Sequence, residues 1–218
     1  MTSKKNSNLA DGVLSRQALH DLNAIYCRAV DRCEPELLAS LFHEDAIVDF
    51  GEPMPASEWV PMIIDVELSL ARGFHSVACE WFDIRGDKAI GERYLFSEIT
   101  QEFEGVSTES LLGARYVGRY ERRNGVWKFS LHAFLMDWNS NYPSDQYWDA
   151  STYGASKETG KHTPDDPVER MAFSNASPMI AATTNDDLML RELANKQALD
   201  QVIAAHSRGL DNAETALL

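Results

Sequence analysis

The chain has 218 residues and a mass of 24.5 kDa, enough for one domain with a full core, or for one domain and an additional arm. Its hydrophobic share of 44% is typical of globular rather than disordered proteins. The formal net charge of −14 argues against a nucleic-acid or anionic-membrane partner, because both are polyanions.

The first twelve residues, MTSKKNSNLADG, are polar and lack the apolar core of a secretion signal, so we predict that residues 1–14 are a disordered lead-in. The three cysteines have no zinc-ligand spacing and fit a reducing compartment, which makes the cytoplasm the expected location. The run His43-Glu44-Asp45 cannot face one ion from a regular element. No metal and no cofactor are therefore expected.

Helical spacing of apolar residues predicts a first helix from Ser15 to Cys33. A short helix follows from Glu34 to Phe42, with proline at an early position where its missing N–H costs nothing. Ala46 to Phe50 reads as a strand that ends before a Gly-Glu-Pro break. An amphipathic helix is predicted from Ser57 to Arg72, with Gly73 as its stop.

Four long strand patterns come next, from His75 to Ile84, Ala89 to Phe103, Ser107 to Arg122 and Val126 to Trp138. The joints RGDK and RRNG are hairpin signals. Helices followed by a run of antiparallel strands indicate the α+β class. Strands of this length usually bend, and a bent sheet over helices forms a cone with an open mouth.

From Asn139 onward the pattern changes, and residues 139–218 are predicted to form an arm followed by an amphipathic helix from about Asp186 to Gly209. The apolar stretches of this arm favour docking on another subunit, so a homodimer or homotrimer is expected. The segments that begin at Gln17 and Gln197 align without gaps. They are either two helices with similar requirements or the start of a second domain copy.

Three side chains stand out as candidates for general acid–base chemistry: Tyr26 and Asp31 on the first helix, and His75 at the start of a strand. Histidine is the side chain best matched to proton transfer near neutral pH. Each has an ordinary structural alternative. Tyr26 could be a core tyrosine and His75 a partly exposed helix-end residue. Asp31 lies roughly opposite Leu22 on the helix, as a solvated carboxylate would.

The later strands contribute further candidates. His132 alternates with Phe134 and Met136, so it is predicted to point into an apolar pocket. Arg115 could hold an oxyanion or phenolate, or could be a solvent-facing ion-pair partner. An aromatic lid between residues 138 and 148 would suit a flat aromatic substrate. The aromatic residues expected to bind the substrate are Trp59, Trp81, Tyr94, Trp138 and Trp148.

The stretch IYCRAVDRCEPELLASLFHEDAIVDFG, followed by FHSVACEWFDIRGDKAIGERYLF and later by GARYVGRYERRNGVWKF, resembles the SnoaL-like branch of the nuclear-transport-factor-2-like superfamily. The resemblance covers about Ser15 to Trp138. It implies a catalytic domain over residues 15–138, with a cone-shaped, mixed or antiparallel curved sheet and helices packed on it. It also implies that His75 and Asp31 form the base and that Tyr26 acts as acid or substrate anchor. In having a second histidine, His132, the chain is similar to scytalone dehydratase.

For activity, the resemblance implies a cofactor-independent lyase that acts on a hydrophobic small molecule. The long aromatic C-terminal segment looks like that of the diarylpropane lyases of lignin-dimer breakdown, which release formaldehyde; loss of water is the related possibility. One alternative is a polyketide or steroid cyclase or isomerase that uses the same base. Another is a non-catalytic binder or an assembly protein similar to an oxygenase small subunit, which side chains at positions 31, 75 and 132 pointing outward would favour.

Overall fold

The computed structural model describes residues 2–143 and, near the C-terminus, residues 191–193, 195, 196 and 199. Contacts along the chain define two units, one of Met1–Gln17 with Ala181–Leu218 and one of Ala18–Ile180. In the first unit all described residues are helical, and they include an i,i+4 ion pair between Lys196 and Glu192 at 3.3 Å. The helix predicted for residues 186–209 is confirmed at these described positions; the rest of that segment, residue 197 and Trp148 lie outside the described residues.

The first helix, α1, spans Thr2–Asp31 and therefore begins well before the predicted Ser15. The expectation of a disordered lead-in is wrong for residues 2–14. Gly12 is the one glycine in that stretch and there is no proline, so nothing in its sequence stops a helix. No helix in the described part of the chain is long and apolar enough to cross a membrane.

Two helices and two strands follow. Helix α2 spans Pro35–Ser40, with its proline at the first helical positions as predicted. Strand β1 spans Phe42–Asp49 and starts earlier than the predicted Ala46. Strand β2, Pro53–Pro55, occupies the predicted break and pairs antiparallel with β1. Its prolines are tolerated because β2 is an edge strand. Helix α3 spans Ala56–Ser69.

The four long strands are β3 (Arg72–Arg85), β4 (Lys88–Phe103), β5 (Val106–Arg123) and β6 (Val126–Pro143). Two boundaries differ from the prediction by more than one residue. Gly73 lies inside β3 instead of ending the helix, and β6 runs on through residues 139–143 because β5 offers partners there from Thr108 to Leu112.

The hairpin between β5 and β6 shows why the turn signals were reliable. Asn124 and Gly125 have φ values of +54° and +82°. Two consecutive left-handed residues form the type I′ turn, for which Asn-Gly is the preferred pair.

The strands form one mixed sheet in the order β2-β1-β6-β5-β4-β3. Strands β1 and β6 are parallel, and all other neighbours are antiparallel. The sheet is curved and unclosed and is covered by helices, which confirms the predicted α+β cone. We call the face that carries Arg93, Tyr116 and His132 the inner face; α1 packs on it through Tyr26. The opposite side, which carries Tyr94 and Arg115, is the outer face.

Candidate active site

Asp31 and His75 form a hydrogen-bonded pair in which the carboxylate uses both of its oxygens. Asp31 Oδ1 lies 2.6 Å from His75 Nδ1, and Asp31 Oδ2 accepts the His75 backbone N–H at 3.2 Å. The His75 side chain is 8% exposed and that of Asp31 is 22% exposed. The carboxylate therefore fixes both the ring and the backbone of the strand that carries it. With a proton on Nδ1, Nε2 is the nitrogen that can accept another.

The position of Asp31 on its helix explains how it reaches His75. Asp31 is the last residue of α1, and the chain turns away at Cys33, whose φ is +52°. Comparison with Leu22 suggested a solvated carboxylate, but the buried face of α1 is wider than that residue indicates. Asp31 lies one helical turn after the buried Cys27, at the edge of that face.

The surroundings of His75 raise its pKa above the usual value. Burial alone would lower the pKa, but the hydrogen bond and negative charge of Asp31, together with the charge of Glu67, outweigh this effect. The pair thus resembles the base and orienting carboxylate of a catalytic triad.

Glu67 is a third titratable group beside the pair that the sequence reasoning missed. It is 3% exposed, and its Oε2 has no hydrogen-bond partner among the described residues. Burial, followed by the charge of Asp31, raises the pKa of this carboxyl, whereas His75 lowers it. Its signal was present in α3, where Glu67 continues the buried helical series that includes Val60 and Ile64.

Ser97 is the neighbour of His75 on β4. The two residues lie directly opposite each other in the antiparallel register. This pairing places their Cβ atoms about 4.5–5.5 Å apart. Ser97 is 1% exposed, and its hydroxyl has no partner within the described part of the chain. The hydroxyl is therefore available to a ligand near the histidine.

Tyr26 lies in the interior, as predicted, at the centre of an aromatic group. Its ring centroid is 4.6 Å from that of His132, and its hydroxyl shares a hydrogen bond with Tyr116. Burial is the main cause of a pKa well above the usual tyrosine value. The phenol therefore stays protonated and acts as a donor.

His132 is fully buried on the inner face, with neither ring nitrogen bonded to any described residue. Burial and then the charge of Arg93 lower its pKa well below the usual value, so the ring is neutral. Trp59 is similar: it is 1% exposed, and its Nε1 has no partner among the described residues. Buried polar atoms are normally hydrogen-bonded, so this concentration of unpartnered groups indicates a ligand site.

Arg93 completes the interior, and it too was missed at the sequence level. It is 1% exposed on β4, between the inward positions of Gly91 and Leu95. Its Nη1 donates to the Tyr120 hydroxyl at 3.0 Å. The alternation of β4 was the available signal, because Arg93 shares the inward phase of Ala89 and Leu95.

Other predicted substrate-binding residues lie on the outer face, away from His75. Trp81, Tyr94 and Trp138 are 58%, 55% and 50% exposed. Arg115 donates to Asp137 through Nε at 3.0 Å and Nη2 at 2.9 Å, and its Nη1 lies 3.4 Å from Glu92. Arg115 is thus an ion-pair partner on the sheet surface, the alternative stated above.

Within the described residues, no group of three or more histidine, cysteine, aspartate or glutamate side chains could hold a metal ion. The polar residues gathered in the interior include Tyr26, Asp31, Trp59, Glu67, His75, Arg93, Ser97, Tyr116 and His132.

The SnoaL-like domain profile matches residues 11–132 of the chain. No curated protein sequence matches the chain. Among solved structures, a hexachlorocyclohexane dehydrochlorinase of type 2 is similar, with 25% identity and a TM-score of 0.56, over 63% of this chain and 93% of that one.

Two further structures share the fold. A type 3 hexachlorocyclohexane dehydrochlorinase from Novosphingobium barchaimii has 24% identity and a TM-score of 0.55, over 63% of this chain and 94% of that one. A candidate scytalone dehydratase from Novosphingobium aromaticivorans has 17% identity and a TM-score of 0.55, over 60% of this chain and 89% of that one.

Proposed function

Because the chain belongs to the SnoaL-like domain family, we propose that it is a lyase that acts on a hydrophobic aromatic substrate by general acid–base catalysis without a cofactor. The family and the similar dehydrochlorinase support an enzyme of the lyase or isomerase type. The observation that carries the proposal is the Asp31–His75 pair, with Nδ1 and Oδ1 2.6 Å apart.

In the proposed reaction, His75 Nε2 takes a proton from the substrate, and Asp31 stabilises the imidazolium that forms. Tyr26 is protonated in the interior before reaction and gives its proton to the departing oxygen. The aromatic walls around it, including Trp59 and Phe50 with ring centroids 5.1 Å apart, exclude water and suit a flat substrate.

For the substrate we propose a lignin-derived 1,2-diarylpropane-1,3-diol. The base removes the proton of the terminal hydroxyl, and the O–H electrons form the C=O bond of formaldehyde. The electrons of the broken C–C bond form the central double bond of a stilbene. The benzylic C–O bond breaks, and its oxygen takes the proton of the Tyr26 hydroxyl and leaves as water. The proton held by His75 restores Tyr26 after the products leave. Loss of water alone from a related substrate would use the same base and acid.

A cyclase or isomerase would use the same base. The mass of the product distinguishes either of them from a lyase. The inward orientation of Asp31, His75 and His132 supports catalysis over the non-catalytic alternative. The division into a catalytic domain over residues 15–138 and an arm over residues 139–218 stays a proposal, except that residues 139–143 belong to β6.

The test is to incubate the purified protein, without added cofactor, with a diaryl diol, a steroid, a polyketide mimic and hexachlorocyclohexane. Formaldehyde is measured chemically, stilbene by absorbance and other products by mass. We expect formaldehyde and stilbene in equal amounts from the diol. His75→Ala should reduce turnover by about 10²–10⁴-fold, the usual contribution of a general base.

His43→Ala is the matched control, because His43 contacts the Glu121 carbonyl at 2.9 Å, away from the pair. It should keep the wild-type rate. Near-normal turnover by His75→Ala would contradict the proposed base, and a product of unchanged mass would replace the lyase with an isomerase.

A further inference from the structure

Arg93 has an unused hydrogen-bonding edge in a fully buried place. Its Nε and Nη2 have no partner in the described part of the chain, whereas Nη1 donates to Tyr120. An arginine keeps its positive charge in proteins. Leaving its donors unpaired in the interior is unfavourable, so a ligand group that pairs with them contributes strongly to the free energy of binding.

Three aromatic rings surround the guanidinium. Its Cζ atom lies 4.8 Å from the ring centroid of Tyr116, 5.4 Å from that of Phe129 and 5.5 Å from that of Tyr26. A hydrogen-bonding partner of Nε and Nη2 has to approach in the guanidinium plane, because the N–H groups lie in that plane. Nε and Nη2 share one edge of that plane, and their parallel N–H groups are a fork that matches anionic oxygen atoms.

The opposite edge is held by a relay of hydrogen bonds. The Tyr120 hydroxyl donates to Asn23 Oδ1 at 3.1 Å, and Asn23 Nδ2 donates to Glu80 Oε1 at 2.6 Å. Every hydrogen bond in this relay points, from donor to acceptor, toward the carboxylate of Glu80. The bond dipoles therefore align with the positive charge of Arg93. The relay fixes the orientation of the guanidinium, and the Nε/Nη2 edge is preorganised for a ligand.

We propose that the Nε/Nη2 edge of Arg93 binds an anionic oxygen group, a carboxylate or a phenolate, of an aromatic ligand. That the ligand is the substrate rests on the proposed function, but the binding itself does not require turnover. The aromatic body would lie against Tyr26 and Tyr116, whose centroids are 5.4 Å apart.

The spacing along β4 narrows the substrate class. Arg93 and Ser97 are four residues apart, about 13 Å in an extended strand. Ser97 lies opposite His75, while the Arg93 side chain extends to Tyr120, opposite Ala89 and therefore further from Ser97. A substrate that reaches both ends is elongated, with its anionic oxygen at least one ring away from the reacting carbon.

The test uses three probes of similar shape: 4-nitrophenol, 4-nitrobenzoate and the neutral nitrobenzene. Binding to the full-length protein is measured by calorimetry. Arg93→Met removes the charge and keeps the length, and Arg93→Lys keeps the charge and loses the fork. We expect Arg93→Met to weaken binding of an anionic probe by about tenfold or more, the usual effect for a hydrogen bond to a charged group. Nitrobenzene binding should not change.

The wild-type protein gives a second readout that needs no variant. Below the pKa of free 4-nitrophenol, binding at Arg93 should favour the phenolate and increase its absorbance band. A stronger phenolate band on binding assigns a phenolate site, and tight binding of 4-nitrobenzoate alone assigns a carboxylate site. Equal affinity of wild type and Arg93→Met for both anions, or preference of the wild type for nitrobenzene, would overturn the proposal.

His75→Ala separates this proposal from the lyase. The variant should bind the anionic probes as the wild type does, because His75 is not part of the Arg93 edge. Arg93-dependent binding without turnover of any tested substrate would reject the lyase and keep the anion site. Turnover that depends on His75, without Arg93-dependent binding of the anionic probes, would reject the anion site and keep the lyase.

Discussion

At the residue scale, the Asp31 carboxylate does two things at once. It accepts the backbone N–H of His75 and lies 2.6 Å from the ring Nδ1, so the strand and the imidazole are positioned by one group. Loss of the carboxylate would release both. We therefore expect its effects on rate and on stability to be coupled, unlike those of a surface ion pair.

The pH dependence of kcat/KM tests the raised pKa of His75. Only the neutral ring accepts a proton, so kcat/KM should rise with pH through a pKa above about 6.5, the ordinary histidine value. In Asp31→Asn, burial still lowers the pKa and the carboxylate no longer raises it, so the rise should move to lower pH. The maximal rate should fall by about tenfold or more, and the double variant with His75→Ala should be no worse than His75→Ala alone. An unmoved profile would contradict the assignment of the base.

The same pair predicts how stability depends on pH. A histidine with a raised folded-state pKa stabilises the fold below its unfolded value, and this contribution is lost as pH rises through the folded value. Urea unfolding should show the largest difference between wild type and Asp31→Asn in weakly acidic buffer. A difference that grows with alkaline pH would have the wrong sign.

Glu67→Gln tests the buried carboxyl beside the pair. A carboxyl whose pKa is raised in the folded state destabilises the fold as pH rises above the carboxyl's pKa in the unfolded chain, about 4.3. The Glu67→Gln variant, whose amide has the same shape, should therefore be more stable than wild type at neutral pH and equal to it in acid. The pH profile of kcat/KM should also shift downward, because the charge of Glu67 raises the pKa of His75. Glu58→Gln, an exposed change in the same helix, is the control. Destabilisation by Glu67→Gln at neutral pH would argue for an ionised, paired carboxylate.

Removal of metal ions is a further check. We expect extensive dialysis against a chelator to leave the rate unchanged, because the proposed chemistry uses only side chains. Activity lost with chelator and restored by a metal would point to a site other than the one described.

At the element scale, the inner side of β5 depends on a glycine. A Cβ atom on Gly118 would lie 2.7 Å from Tyr120 Cζ, well inside van der Waals contact. Tyr120 in turn anchors Arg93 and Asn23. The glycine thus leaves room for the ring that begins the relay.

Gly118→Ala should therefore destabilise the fold by about 1–3 kcal/mol through overpacking, as measured by thermal denaturation. It should also weaken anion binding, because Tyr120 has to move. Gly12→Ala is the control: no atom of the described residues lies within 4 Å of its added Cβ atom, and alanine favours the helix. Wild-type stability and anion binding in Gly118→Ala would show that the ring can move without cost.

At the scale of the whole molecule, the outer face of the sheet carries several exposed large apolar side chains. These side chains are Phe74, Trp81, Tyr94, Phe96, Leu135 and Trp138, each between 44% and 58% exposed. Large exposed apolar patches mark interaction surfaces. This agrees with the expectation of a homodimer or homotrimer and adds a surface through which the copies could pair.

Phe96→Asp should lower the molar mass measured by light scattering, because a charge in the middle of this face disfavours burial. Leu68→Asp is the matched control; Leu68 is 57% exposed on α3, outside the sheet, and its change should not alter the mass. A monomeric wild type, or an unchanged mass for Phe96→Asp, would contradict pairing through the outer face.

Much of the architecture was predictable because its signals are local. Alternating residues and turn pairs such as Asn124-Gly125 act over a few positions, so all four long strands were found within a few residues of their ends. The ends that failed depend on partners: β6 extends because β5 continues beside it. The order of Tyr26, Asp31 and His75 along the chain, together with the resemblance to the SnoaL-like family, was enough to propose the site.

Which side of the sheet faces the interior was decided only by the tertiary structure. Residues 93 and 94 must point to opposite faces, but the sequence places large or aromatic side chains in both phases of β4. Periodicity alone therefore could not choose between Arg93 and Tyr94, or between Tyr116 and Arg115. Packing of α1 against Tyr116 and His132 makes that choice, and it buries the charge of Arg93 while Arg115 pairs with Asp137 on the surface. Burial depends on contacts between residues distant in the chain, so no local pattern contains it.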